Sequence, residues 1–388
     1  MYCSNTPLVC SNYRYTEEHI NNVLLCNSIE FWPNQMNRLQ MKSRQLVRAL
    51  RISPALLMLI LSPLARGDAD RVHTGDFTVN GLLNGSEMNE TECLPRSNSL
   101  WLLVDGKGEC IRYFHAGLDE AGENKLVHVW LHGDRLKPKW SARIGHGKPV
   151  GNEPIDYEDH DPALLQSSVD GNYASFAIPF IRLSRPGTYG SSGDHRQRRR
   201  PREIELISAA VDALKKRYQI KSFLLSGHSG GGHLVASLLP RRLDLACVVI
   251  ASGMVSIGER VRLEGWNTDV TGYADYVDPI TLVDDIPRVL NRPILLVGDP
   301  RDSEVWFESQ HSYFMRVHRA GHRVFLLSAK AASPEFHELR YLGMNMVRWC
   351  AEGKSVTDMI ASTKFITESV KPDRKKYNDR AVTASSKD

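Results

Sequence analysis

The sequence predicts an α/β fold, a mostly parallel sheet with helices on its faces, and three observations support that expectation. Short continuous apolar runs recur from residue 99 onward, as strands buried on both faces require. They alternate with stretches of helical period in about four successive units, the pattern of parallel strands joined by crossover helices. One apolar run leads through Leu224-Leu225-Ser226-Gly227-His228-Ser229-Gly230-Gly231-Gly232 straight into a helical stretch.

Strands are expected at 100–104, 111–115, 126–131, 173–181, 222–225, 245–251, 293–297 and 323–328. Helices are expected at 201–217, 230–239, 303–319 and 338–351. In the first, Ile204, Ile207, Val211 and Leu214 recur at steps of three and four and give one apolar face. Residues 141–170 and 184–200, rich in Gly, Pro, Asp and Ser, read as loops. Residues 254–284 form a longer insertion before the strand at 293–297, with Trp266, Tyr273 and Tyr276. Insertions at the strand ends of such a sheet shape binding sites.

The 388 residues are 42% hydrophobic and 24% charged, which is globular composition. The net charge of +4 is local: residues 1–67 hold seven Lys or Arg and three Asp or Glu, and the rest holds 42 of each. A balanced body argues against nucleic acid or an anionic membrane as the main partner.

The apolar stretch 55–65 is too short to span a bilayer as a helix. Met41-Lys42-Ser43-Arg44, Arg48 and Arg51 precede it, and Ala65-Arg66-Gly67-Asp68-Ala69 follows. A basic region, a short apolar region and small residues, in that order, make a secretory signal peptide. The expected organisation is a non-native or disordered extension at 1–40, a signal peptide at 41–69, a linker at 70–98, a catalytic domain at 99–352 and a polar tail at 353–388. The mature chain is then periplasmic or secreted, without an integral membrane segment. Export makes a Cys93–Cys110 bridge chemically possible, and the bridged and free forms both stay open. Cys247 and Cys350 read as plain buried thiols.

The candidate chemistry starts at Ser229. Gly-x-Ser-x-Gly between strand and helix puts a serine on a strained turn, and Gly227 and Gly231 leave room for the neighbouring backbone on either side of His228 and Ser229. Phosphate-binding readings fail, because the glycines are misplaced for a dinucleotide loop and His233 stands where a P-loop needs lysine. A serine nucleophile needs a base, and the base an orienting carboxylate. The strand at 293–297 leads into Gly298-Asp299-Pro300-Arg301-Asp302-Ser303-Glu304-Val305, where Asp302 is preferred over Asp299. The loop after the strand at 323–328 ends in His337, the expected base. His311, His318 and His322 are rivals by type and share one helical face, but no Cys or carboxylate completes a metal site there. The oxyanion hole needs two backbone amides, and Gly230 and Asp134, the latter after His132-Gly133 at a strand end, are placed to give them.

With elbow, acid, base and His-Gly turn in this order, the chain resembles the α/β-hydrolase superfamily over about residues 99–352. Gly298, Asp302 and Val305 followed by His337 are similar to its prolyl-oligopeptidase-like and dienelactone-hydrolase-like branches. The resemblance implies a Ser-His-Asp serine hydrolase that forms an acyl-enzyme from a small ester or peptide substrate and needs no cofactor. Two features depart from those branches: residues 68–98 are too short for a propeller, and Asp134 replaces the further glycines of many carboxylesterases. The alternative is a non-catalytic binding protein on the same fold, with 254–284 as its recognition surface. The basic run His195-Arg196-Gln197-Arg198-Arg199-Arg200-Pro201-Arg202 is expected as a solvated loop leading into a helix, rather than as a site for a polyanion or a substrate carboxylate or phosphate.

Overall fold

Alternating side chains along the central strands build two cores from one sheet. In β7 (Ile220–His228), Phe223 and Leu225 enter one core while Leu224 enters the other. Val248 and Ile250 of β8 (Leu245–Ala251) and Ile294 and Leu296 of β9 (Ile294–Gly298) join the first. Cys247, Val249, Leu295 and Val297 join the second. Strands apolar on both faces suit a sheet covered on both sides, which is why these runs are continuous rather than alternating in the sequence.

The computed structural model describes residues 77–139, 151–157 and 160–362. The expectations for 1–40 and 41–69, and for the end of the tail, lie outside the described residues. Among the described residues, eight strands form the main sheet in the order β1 (Ser99–Val104), β2 (Lys107–Ala116), β6 (Phe180–Leu183), β3 (Asn124–Leu131), β7, β8, β9 and β10 (Val324–Ser328). β1–β2 and β2–β6 pair antiparallel, and every pair from β6 to β10 is parallel. β4 (Leu136–Lys139) and β5 (Gly151–Pro154) form a separate antiparallel pair.

The helix α4 (Pro201–Arg217) spans its expected range, with Pro201 in its first turn and Lys215, Lys216 and Arg217 in its last. Its expected face, Ile204, Ile207, Val211 and Leu214, is buried in the first core. α5 (Gly230–Leu238) is buried all round. α7 (Phe307–Arg319) and α8 (Arg340–Ala351) sit within their expected ranges, and the insertion folds as α6 (Ile257–Glu264) and a 3₁₀ segment, Pro279–Asp285.

Several expectations are corrected. Residues 162–176, divided between a loop and a strand in the sequence reading, form α3 (Pro162–Phe176), capped by Asp161. The strand β6 begins only at Phe180. The stretch expected as a linker holds α1 (Val79–Asn84) and α2 (Glu90–Cys93), with Leu82 buried and Phe77 against Phe114, Tyr157 and Tyr189. The expected tail begins with α9 (Val356–Ala361), whose Met359 enters the second core. Cys93 is bridged to Cys110, and Cys247 is bridged to Cys350 instead of being a plain thiol. No helix among the described residues is long and apolar enough to cross a membrane.

This topology gathers the chemistry at one edge. Asp134 follows β3, Ser229 follows β7, Asp302 follows β9 and His337 follows β10, all at carboxyl ends of parallel strands, where open α/β sheets bind ligands.

Candidate active site

Ser229 stands between β7 and α5 with φ +55° and ψ −120°, a backbone conformation that residues with a side chain rarely adopt. Its amide donates to Ala251 O at 3.0 Å, and its carbonyl accepts from His233 N at 3.2 Å and Met254 N at 3.3 Å. These bonds to β8 and α5 hold the strained turn. A Cβ on Gly227 would collide with the Gly231 carbonyl, and one on Gly231 with the Leu131 carbonyl, so neither position tolerates a side chain. The backbone crossing at Ser229 is therefore set by its two flanking glycines, as the motif implied.

Asp302 and His337 meet. Asp302 Oδ1 accepts from the amides of Glu304 and Val305, both at 2.8 Å. Its Oδ2 accepts from His337 Nδ1 at 2.8 Å, which leaves His337 Nε2 as the free ring nitrogen. Burial raises the Asp302 carboxyl above its ordinary value, with the His337 charge and the two amides pulling against it. Burial alone would lower His337, but the Asp302 carboxylate outweighs it and leaves the imidazole more basic than usual. Asp299 serves the loops instead: it binds the Arg301 guanidinium and accepts from Ala331 N at 2.8 Å, and Arg301 lies 4.1 Å over the Phe336 ring. Asp299 thus ties the loop after β9 to the loop that carries His337.

His228 packs beside His337, ring centroids 4.8 Å apart, and its Nε2–H donates to the His337 carbonyl at 3.1 Å. Burial, reinforced by the His337 charge, holds His228 well below the ordinary histidine range, so it is neutral. His311 and His318 are exposed on α7, and neither they nor His322 lines the cavity that holds Ser229 and His337. Among the described residues no group of three His, Cys, Asp or Glu side chains is placed to hold a metal ion.

The two amides expected in the oxyanion hole, Gly230 and Asp134, donate to no protein acceptor among the described residues. The side chain of Asp134 has a role that no sequence motif announces. It accepts from Arg185 Nη1 at 2.8 Å, from Arg198 Nε at 2.9 Å and from Arg199 Nη2. Arg185 also binds Glu203 at 2.8 Å, and Arg199 binds Asp269 at 2.6 Å. Burial would push Asp134 up, but the guanidinium groups of Arg199, Arg198 and Arg185 hold it well below the usual carboxylate range. A Cβ on Gly230 would collide with Asp134 Oδ1, so this network packs directly against the residue after the nucleophile.

The basic run is thereby corrected. His195, Arg198 and Arg199 are each 1% exposed, not solvated. Their partners Asp134, Glu203 and Asp269 come from three separate segments, so no local pattern announced the burial. Ser229, His228, His337, Gly133 and Asp134 line one cavity of about 660 Å³. The insertion supplies Met254, Arg260, Trp266 and Val270 to the same cavity.

The sheet order, the antiparallel first strands, the elbow after β7 and the acid and histidine after two later strands together decide the architecture. The fold is that of the α/β-hydrolases. No protein-family model matches the chain, and no curated protein matches it. Solved structures do resemble it. An esterase from Pyrococcus furiosus aligns at 13% identity and TM-score 0.44, over 68% of this chain and 90% of its own. Est1E from Butyrivibrio proteoclasticus, with ferulic acid bound, aligns at 14% and 0.45, over 66% and 98%. An acylaminoacyl peptidase from Pyrococcus horikoshii aligns at 14% and 0.43, over 76% of this chain and 45% of its own.

Proposed function

We propose that this protein is a serine hydrolase that cleaves an ester or amide bond through an acyl-enzyme. The observation that supports this most strongly is the 2.8 Å bond between His337 Nδ1 and Asp302, in a cavity shared with a serine held at φ +55°. Ser229 Oγ attacks the substrate carbonyl while His337 Nε2 takes its proton. The carbonyl oxygen becomes an oxyanion, received by the amides of Gly230 and Asp134. His337 then returns the proton to the leaving group as the tetrahedral species collapses to the acyl-enzyme. Water, deprotonated by the same nitrogen, releases the acid. Asp302 keeps the imidazole in the required tautomer and stabilises its charged form. Preorganised amides at a helix N-terminus stabilise the developing charge without reorganisation.

A fluorophosphonate probe tests this directly. It is expected to label Ser229 in the native protein, with no label on Ser229→Ala. A folded wild-type protein that takes no label overturns the reading. We further propose that the chain works outside the reducing cytosol, in the periplasm or secreted. The Cys93–Cys110 and Cys247–Cys350 disulfides support this, since such bonds persist in oxidising compartments. N-terminal sequencing of exported material is expected to begin near Asp68 or Asp70, and recovery of an intact amino terminus from the cytoplasm overturns it.

A further inference from the structure

The charges around the cavity that holds Ser229 are not all paired by contact. Asp134, Glu203 and Asp269 are matched by Arg185, Arg198 and Arg199, three carboxylates against three guanidinium groups. Two more arginines line the same cavity, and both are buried. Arg135 is 8% exposed and Arg260 is 6% exposed. Among the described residues no carboxylate stands within 4 Å of either guanidinium, and the Nε of each has no hydrogen-bond partner.

Both are held in place by groups other than acids. The backbone of Arg135 donates to His195 Nε2 at 3.1 Å and accepts from Ile155 N at 2.9 Å. Arg260 lies 5.2 Å over the Trp266 ring, with Nη1 3.5 Å from Met254 Sδ. Met254 is the residue whose amide bonds the Ser229 carbonyl, and Arg135 directly follows the oxyanion-hole Asp134. Both cations therefore belong to segments that also contact the nucleophile's surroundings.

The other acids of the cavity do not answer them. Glu304 pairs with Lys137 at 3.8 Å and Glu338 with Arg340 at 3.1 Å. Asp156 and Glu335 are exposed at the rim, where water and salt screen them. A buried guanidinium without an anion is costly, and interactions strengthen as the surroundings lose water. Such groups are retained where a ligand supplies the missing charge, and the planar fork of arginine fits a carboxylate with two parallel bonds.

We propose that the cavity accepts a substrate bearing a carboxylate, docked by Arg135 and Arg260, with its ester or amide bond presented to Ser229. This rests on the serine-hydrolase reading for the reaction, but not for the binding. The exposed acids at the rim disfavour a more highly charged group such as a phosphate dianion. The apolar wall of Met254, Trp266 and Val270 suits the carbon chain between the carboxylate and the scissile bond.

The test compares esters that differ by one charge. In the first pair, p-nitrophenyl hemiadipate is set against p-nitrophenyl methyl adipate, with the charge on the acyl side. In the second, 4-acetoxybenzoate is set against its methyl ester, with the charge on the leaving group. The expected result is at least a tenfold higher kcat/KM for the anion in one pair, falling with added salt. Arg135→Gln and Arg260→Gln are each expected to cut that preference at least fivefold, and Arg135→Lys, which keeps the charge without the fork, to keep part of it. Neutral esters hydrolysed as well as the anions in both pairs overturn the carboxylate site and leave the hydrolase reading standing. Binding gives the separate readout. Monomethyl adipate is titrated into Ser229→Ala by calorimetry, with dimethyl adipate as control. Tighter binding of the anion, weakened at least tenfold by Arg135→Gln, supports the site even if no ester is cleaved. Equal or absent binding of the two overturns it.

Discussion

Replacing Asp134 by alanine separates the backbone role proposed for it from the ion pairs of its side chain. Its backbone N–H stays available to an oxyanion, while the carboxylate shared by three buried arginines is lost. Arg185 keeps Glu203, and Arg199 keeps Asp269. Arg198 keeps only the carbonyls of His195 and Leu136, both at 3.2 Å. The variant thus carries one buried cation without a counter-charge. Removing one partner of a buried pair costs about 3–5 kcal/mol, a large part of the roughly 5–15 kcal/mol that holds a domain together. Arg198→Met in the same chain removes the stranded charge. The double variant is therefore expected to recover stability relative to Asp134→Ala alone, with a coupling of about 0.5–3 kcal/mol.

Guanidinium unfolding followed by tryptophan fluorescence reads the stabilities. Turnover per folded molecule is expected to fall far less than the roughly 10²–10³ lost with an oxyanion-hole donor. The pH dependence has a defined sign. A carboxyl depressed by folding contributes stability that is present above its unfolded pKa, about 3.9, and lost as pH falls through its lower folded value. The wild type is expected to lose this contribution only in strong acid, and Asp134→Ala to lack that step. A cost below about 1 kcal/mol for the single variant refutes the shared-charge account, since a buried pair broken on one side loses several times that. So does a double variant whose cost equals the sum of its parts. A folded Asp134→Ala with turnover down by the full oxyanion factor assigns the catalytic role to the side chain instead.

Three further outcomes are expected. Ser229→Ala, His337→Ala and the double variant fall to one floor, roughly 10³–10⁴ above the reaction in water, because nucleophile and base act as a unit; a single variant that keeps most of its turnover refutes the pairing. The acid limb of kcat/KM lies above about pH 6.5, since catalysis needs a neutral His337 whose carboxylate partner makes it more basic than usual. Asp302→Asn lowers turnover by about 10⁴ and moves that limb to lower pH, and an unmoved limb points to another base. Replacing Cys247 and Cys350 by serine opens a link across 103 residues, worth about 4.7 kcal/mol by loop entropy; equal denaturation midpoints for the variant and the wild type under oxidising conditions contradict the link.

What was legible in the sequence was mostly local. Gly227, Ser229 and Gly231 mark their turn within five residues: a Cβ on Gly227 meets the Gly231 carbonyl inside the turn, whereas the collision that fixes Gly231 is with the Leu131 carbonyl of β3, which the motif stands in for without naming. Asp302 and His337 are named by their positions after strands, and the structure joins the two by one hydrogen bond whose distance the sequence could not supply. The misread segment at 173–181 had a local signal as well, Asp161-Pro162, a cap and a first-turn proline that start α3, but the apolar run beyond it outweighed that signal. The two disulfides and the arginine network depend on partners far apart in the chain. Cys247 lies in a strand and Cys350 in a helix on the face of the second core, and each alone reads as an ordinary buried residue.

The arginine network shows why charge counting over the whole body misled at one place. A net charge of zero over residues 68–388 made a solvated basic run the simpler expectation. Neutrality over the whole body is compatible with concentration at one point, and here Asp134, Arg185, the stretch from Arg198 to Glu203 and Asp269 bring three carboxylates and three arginines together beside Ser229. Once those six are paired, Arg135 and Arg260 remain on the wall of the cavity that holds Ser229 with no carboxylate in contact among the described residues, and Asp269 acts on Arg260 only from beyond ion-pair distance. A surface loop would have left such charges to water. Both residues are more than nine-tenths buried on the wall of the cavity that holds Ser229, where water reaches them only through the cavity, so a ligand that fills it displaces that water and has to supply the matching charge, which ties the two arginines to the choice of substrate.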